Sequence, residues 1–135
     1  ATTPEADAAN RRRKSSTSNA KLHFDMSKQQ MSLFPTEITK RTQLMVVQFQ
    51  CNRMTFLPPD IGNLKNLTEI HGDQNLLRLI PREVGQLTNL RLISVKNNKL
   101  QNIPETMANL TSLEQLYLSA NCLTEIPAEV FRGLT

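Results

Sequence analysis

Asn52, Asn75, Asn98 and Asn121 are each separated by 23 residues, and Pro35, Pro58, Pro81, Pro104 and Pro127 keep the same interval. Two residue types with unrelated conformational roles share one period, and this constrains the chain more than any other feature. Self-similarity at 23 residues means one structural unit copied along an axis, each copy burying its apolar face against the next. Gln29 fills the preceding Asn slot, and a large apolar residue precedes every Pro: Phe34, Leu57, Ile80, Ile103 and Ile126.

Aligned on the Asn, the units run over about residues 21–43, 44–66, 67–89, 90–112 and 113–135. Leu44, Leu67, Leu90 and Leu113 open them, followed by Val47, Ile70, Ile93 and Leu116, then by Phe49, Gly72, Val95 and Leu118. After the Asn come Met54, Leu77, Leu100 and Leu123. Alternation at the centre of each unit predicts a short strand with two side chains inward and the residues between them on the opposite side. The Asn amide can donate to and accept from backbone groups that would otherwise be buried unpaired where the chain leaves the strand, so Asn52, Asn75, Asn98 and Asn121 are expected to form a structural ladder. Pro limits its own φ and turns its predecessor away from helix, starting the outer side of the unit. Ile61 with Leu64, Val84 with Leu87 and Met107 with Leu110 then repeat at i and i+3, the spacing of a single helical turn crossing the back.

The run Leu113-Glu114-Gln115-Leu116-Tyr117-Leu118-Ser119-Ala120-Asn121-Cys122-Leu123 fits the L-x-x-L-x-L-x-x-N-x-L signature of leucine-rich repeats in full. With the apolar-Pro pair and the opening Leu22-His23-Phe24-Asp25-Met26-Ser27-Lys28, the chain resembles the intracellular Ras-group leucine-rich-repeat proteins over about 115 of its 135 residues. The fold class expected is an α/β repeat: a leucine-rich-repeat solenoid of five repeats, with a parallel concave sheet and convex helical turns. The resemblance implies a non-catalytic scaffold or adaptor in the cytoplasm, binding protein partners of the small-GTPase or phosphatase class. Scaffolds of that group usually carry more repeats than five.

The residues of each strand that do not face inward are those free to recognise a partner. They form three columns: His23, Val46, Glu69, Leu92 and Gln115; Asp25, Gln48, His71, Ser94 and Tyr117; and Ser27, Gln50, Asp73, Lys96 and Ser119. Five strands make a face about 20 Å wide. Val46 and Leu92 are expected to supply apolar contact, and Tyr117 is the only aromatic there, of a type enriched at binding hot spots. Gln48 and Ser94 complete the patch beside Glu69, His71 and Asp73, with Lys96 placed to pair with Asp73 across neighbouring strands.

The first unit is more polar, with Lys21, Gln29 and Arg41 replacing framework residues, as an end cap requires. The last unit, Val130-Phe131-Arg132-Gly133-Leu134-Thr135, displaces its Leu by one place and has no polar cap. Continuation of the chain beyond Thr135 or cover by another subunit is therefore expected. The second possibility carries the alternative function, a structural subunit of a large protein or ribonucleoprotein assembly.

Residues 1–20 contain no Leu, Ile, Val, Met or aromatic side chain and are expected to be a disordered basic tail. Arg11, Arg12, Arg13 and Lys14, followed by Ser15 and Ser16, have the form of a nuclear-import signal or a phosphorylation site. The remaining residues hold twelve Lys or Arg against ten Asp or Glu, too even for a nucleic-acid face, so nucleic acid is expected at most through the tail. Two cysteines 71 residues apart, Cys51 and Cys122, indicate neither a disulfide framework nor a zinc site and suggest semi-buried structural thiols. No apolar run reaches the roughly 18 residues of a membrane span. The compartment expected is reducing and cytoplasmic, with the nucleus, or an organelle after leader cleavage, as alternatives. His23 and His71 fall two strands apart, too far for a tight metal site, and no phosphate loop or activated nucleophile is present, so no metal, cofactor or catalytic residue is expected. Asn66-Leu67-Thr68 and Asn109-Leu110-Thr111 match the glycosylation sequon but overlap the repeat framework.

Overall fold

A computed structural model of the chain describes residues 22–124 and 126–128. The basic run Arg11 to Ser16 and the displaced Leu134 lie outside them. Five three-residue strands, β1 (His23–Asp25), β2 (Val46–Gln48), β3 (Glu69–His71), β4 (Leu92–Ser94) and β5 (Gln115–Tyr117), form one parallel sheet in sequence order. The register has no offset: His23 pairs with Val46, Val46 with Glu69, Glu69 with Leu92, and Leu92 with Gln115. Every side chain therefore stacks on its counterpart one repeat away, which turns each column of the sequence into a physical stripe.

The ladder runs on beyond each strand. Phe49 N–H donates to His71 O at 2.8 Å and Gly72 N–H to Ser94 O at 2.7 Å. The chain then leaves the sheet through a residue with left-handed backbone: Lys28, Cys51, Gln74, Asn97 and Ala120 all have φ between 57° and 61°. None is Gly, although that region disfavours a side chain. The first four are held by pairing with the next coil, as in Cys51 N–H to Asp73 O and Gln74 N–H to Lys96 O, both 2.9 Å. Cys51 is thus a corner residue, its Sγ 2.9 Å from Gln74 Oε1, and Cys122 is exposed rather than semi-buried.

The convex turns expected from the i, i+3 spacing are five-residue 3-10 helices at Thr36–Lys40, Pro59–Asn63, Arg82–Gln86 and Glu105–Asn109. Each follows a Pro in extended conformation. Three residues per turn bring i and i+3 to the same side, so Ile61 and Leu64 both enter the core, as do Val84 with Leu87 and Met107 with Leu110. Adjacent turns touch closely: a Cβ on Gly85 would lie 2.5 Å from Thr106 O.

The interior consists of stacked aliphatic layers, with Leu44, Leu67 and Leu90, then Val47, Ile70 and Ile93, almost completely buried. One layer is irregular. Phe49, fully buried, fills the space above Gly72 and meets Phe34 edge to face at 5.6 Å. At the first coil Arg41, standing where later repeats bury Leu, stays exposed and lies over the Phe24 ring at 4.8 Å.

The Asn residues bind coil to coil. Asn52 Nδ2 donates to Phe49 O and to Met26 O in the preceding coil, while its Oδ1 accepts from Gln29 N–H and Met31 N–H, all between 2.8 and 3.0 Å. Asn75, Asn98 and Asn121 repeat the arrangement on Met54, Leu77 and Leu100 N–H. The ladder is made of Asn-to-backbone bridges, each tying its own turn to its neighbour's.

Candidate protein-binding face

The strand alternation that buries Val47, Ile70 and Ile93 turns the intervening side chains outward, but the three columns are not equally open. Val46 is only 7% exposed and Ser94 6%, so neither offers a partner much surface. Val46 is a short side chain between the longer His23 and Glu69 in register on either side, and it is overshadowed by its neighbours. Leu92, Gln48, Glu69, His71, Asp73 and Lys96 are half-buried, and Tyr117 is 44% exposed.

The polar groups of the face are tied to one another. His71 Nε2 lies 2.8 Å from Glu69 Oε1. Asp73 does not pair with the Lys96 ammonium as the sequence suggests. Its Oδ1 accepts from Ser94 Oγ at 2.7 Å and from the Lys96 backbone N–H at 2.8 Å, capping a donor where the strand ends. The Lys96 ammonium is left to lie 5.7 Å from the centre of the Tyr117 ring, whose hydroxyl donates to Gln115 Oε1 at 3.1 Å. Cation–π and hydrogen-bond contacts hold Tyr117 at both ends, so less rotamer entropy is lost when a partner covers it.

Beside the sheet, at the start of the strands, runs a groove of about 760 Å³ lined by Met45, Thr68, Arg91 and Glu114 and by the outer column Gln43, Asn66, Asn89 and Ser112. A smaller recess of about 240 Å³ joins it to Glu69, Leu92 and Gln115 of the concave face. Its rim is stapled, with Asn66 Nδ2 donating to Thr42 O at 3.0 Å and Asn89 Nδ2 to Lys65 O at 2.9 Å. Sequence reasoning missed this groove. The 23-residue spacing places its residues in columns, but which columns border a depression depends on how the coil bends into the strand. Arg91 and Glu114 form an ion pair across it at 3.0 Å, both more than half exposed. Solvent screening limits such a pair, so a double-mutant cycle of Arg91→Ala and Glu114→Ala followed by urea unfolding should give a coupling below about 1 kcal/mol. A coupling above about 2 kcal/mol would show the groove to be drier than its exposure indicates.

Among the described residues no group of three or more His, Cys, Asp or Glu is arranged to hold a metal. His23 and His71 are separated by β2. Among the same residues no helix is long and apolar enough to cross a membrane.

Comparison with known proteins agrees with this architecture. The leucine rich repeat family profile matches residues 88–135. No curated protein matches the chain significantly. Among solved structures the chain is similar to a leucine-rich-repeat protein of Leptospira interrogans, with a TM-score of 0.58 and 23% sequence identity over 86% of this chain and 42% of that one. The chain thus spans less than half the length of that protein. The fold is that of a leucine-rich-repeat solenoid.

Proposed function

We propose that this solenoid is a protein-binding scaffold that receives its partner on the concave face, from Glu69 and His71 across Leu92 to Tyr117, with the adjoining groove extending the contact. The observation that carries the reading is the presentation of Tyr117: well exposed, held by Lys96 and Gln115, and one strand from half-buried Leu92. An aromatic on a strand with an aliphatic residue diagonally across the next strand is the kind of site where binding energy concentrates. The partner class we assign, from the resemblance to the Ras group, is a small GTPase or a protein phosphatase. Catalysis has no place in this reading.

Affinity capture with purified small GTPases, in both nucleotide states, and with phosphatase catalytic subunits tests the assignment. Tyr117→Ala and Leu92→Asp should each reduce recovery of the client by about tenfold or more, the loss expected of a central hot spot. Recovery equal to wild type from both variants would remove this face from the interaction.

A further inference from the structure

The loops leaving the sheet carry a second stripe on a different side of the coil. Two residues before each conserved-spacing Pro stand Leu33, Phe56 and Leu79 on successive repeats, and these side chains are 63%, 47% and 53% exposed. Leu76, in the third coil, adds a fourth exposed aliphatic at 42%. None belongs to the core, and the layers beneath them are already filled by Phe34, Leu57 and Ile80. The next coil has Asn102 at this position, which ends the stripe. Contiguous exposed apolar residues with a polar boundary mark an interaction site rather than scattered surface.

Just before each Pro the same loops are one-signed, while Glu37, Asp60, Glu83 and Glu105 stand beyond the Pro on the 3-10 helices. Residues 30–35, 53–58, 76–81 and 99–104 contain Arg53, Arg78 and Lys99 and no Asp or Glu. All three basic side chains are exposed, and neither ion pair found among the described residues involves them.

We propose that this flank is a docking surface for an acidic amphipathic helix of a partner protein. The apolar contacts repeat at the spacing of adjacent coils, about 4.8 Å. A helix advances about 4.5 to 6 Å over three or four residues, so apolar residues at i, i+3 or i+4, and i+7 fall into step with Leu33, Phe56 and Leu79. Acidic residues along one flank of that helical stripe meet Arg53, Arg78 and Lys99. Pairing of this patch with the same patch on a second copy is disfavoured, because both carry the same charge. The Arg11 to Lys14 segment is excluded on the same ground. The flank and the concave sheet are separate, so this surface does not depend on the role assigned to Tyr117.

Fluorescence anisotropy on the whole chain tests it with a labelled model helix of about 18 residues, past the length at which isolated helices are marginal. The probe has leucines at i, i+3, i+4 and i+7 and glutamates along one flank of that stripe; a second probe carries lysines in their place. The glutamate probe should bind, and Phe56→Ser with Leu79→Ser should weaken it by about tenfold or more. Arg78→Glu should weaken the glutamate probe several-fold, and Asn102→Leu, which extends the stripe by one coil, should tighten it. Tyr117→Ala should leave binding unchanged, which separates this result from the concave-face test. Thermal melts of each variant establish that the fold is intact. The proposal is overturned if neither probe binds, if the lysine probe binds equally well, or if Asn102→Leu has no effect. Polyuridine or phosphatidylserine vesicles binding in place of the glutamate probe, with the same dependence on Phe56, would overturn it in favour of a nucleic acid or a membrane.

Discussion

Replacing Asn75 with Asp should destabilise the solenoid by about 4 kcal/mol, in the range found when a buried charge is left uncompensated. Asn75 is 4% exposed. Its Nδ2 donates to Phe49 O at 2.9 Å and Gly72 O at 3.2 Å, and its Oδ1 accepts from Met54 N–H at 3.0 Å. Asp keeps the acceptor but loses both donors and sets a carboxylate against the carbonyl oxygens those donors served. In a solenoid each coil is stabilised by its neighbours, so the loss falls on the coupling of the second and third repeats. Asn66→Asp is the control: Asn66 also bridges two coils, but it is exposed and makes a single bond to Thr42 O. Its effect should stay below about 1 kcal/mol, because water replaces what is lost. Urea unfolding of both variants measures the contrast, and similar values for the two would mean that burial is not what gives the ladder its strength. The pH dependence follows from burial, which favours the protonated carboxyl and raises its pKa in the native state. The native variant then binds a proton that the unfolded chain releases, so stability relative to wild type falls as pH rises and recovers as pH is lowered.

Gly72→Val should lower stability by about 3 kcal/mol through overpacking. Even one Cβ at Gly72 would lie against Phe49 Cε2 and 2.5 Å from its Cζ. The ring cannot retreat easily, because Phe49 is fully buried and its far side meets Phe34. Gly72 does not have positive φ, so the substitution introduces no left-handed strain and the expected loss is steric. That makes it reversible by a second substitution in the same chain. Phe49→Leu alone leaves a cavity and is destabilising, but combined with Gly72→Val the extra methyls occupy the vacated space. A double-mutant cycle should therefore give a favourable coupling of at least about 1 kcal/mol. Strict additivity would show that Gly72 is needed for some reason other than the ring above it.

Gly72 also illustrates what could be read before the structure. Its column of Phe49, Gly72, Val95 and Leu118 is plain in the alignment, and so is its place in the core. That a Phe in one repeat compensates a Gly in the next is visible only when zero-offset register sets them in contact. The candidate face behaves likewise. Its columns were legible, yet Val46 and Ser94 proved to be covered and Asp73 took a backbone N–H in place of the Lys96 ammonium. Periodicity says which side of a strand a residue occupies; it carries no information on the length of its neighbours' side chains or on which unpaired donor lies closest. The flank stripe could have been found in the sequence, because Leu33, Phe56 and Leu79 share the repeat spacing, but nothing in the spacing distinguishes an exposed apolar column from a buried one.

The coil itself, by contrast, was determined by the residues alone. A 23-residue period with an alternating apolar core, an Asn where the strand ends and a Pro where the back begins leaves one economical arrangement, since each unit can bury its apolar side only against a copy of itself. The tertiary structure decided what stacking adds: the left-handed corners that non-Gly residues occupy, the groove beside the strands, the hold on Tyr117, and the exposure of the apolar flank. All of these depend on distances between coils, which exist only once neighbouring repeats have closed their shared hydrogen bonds.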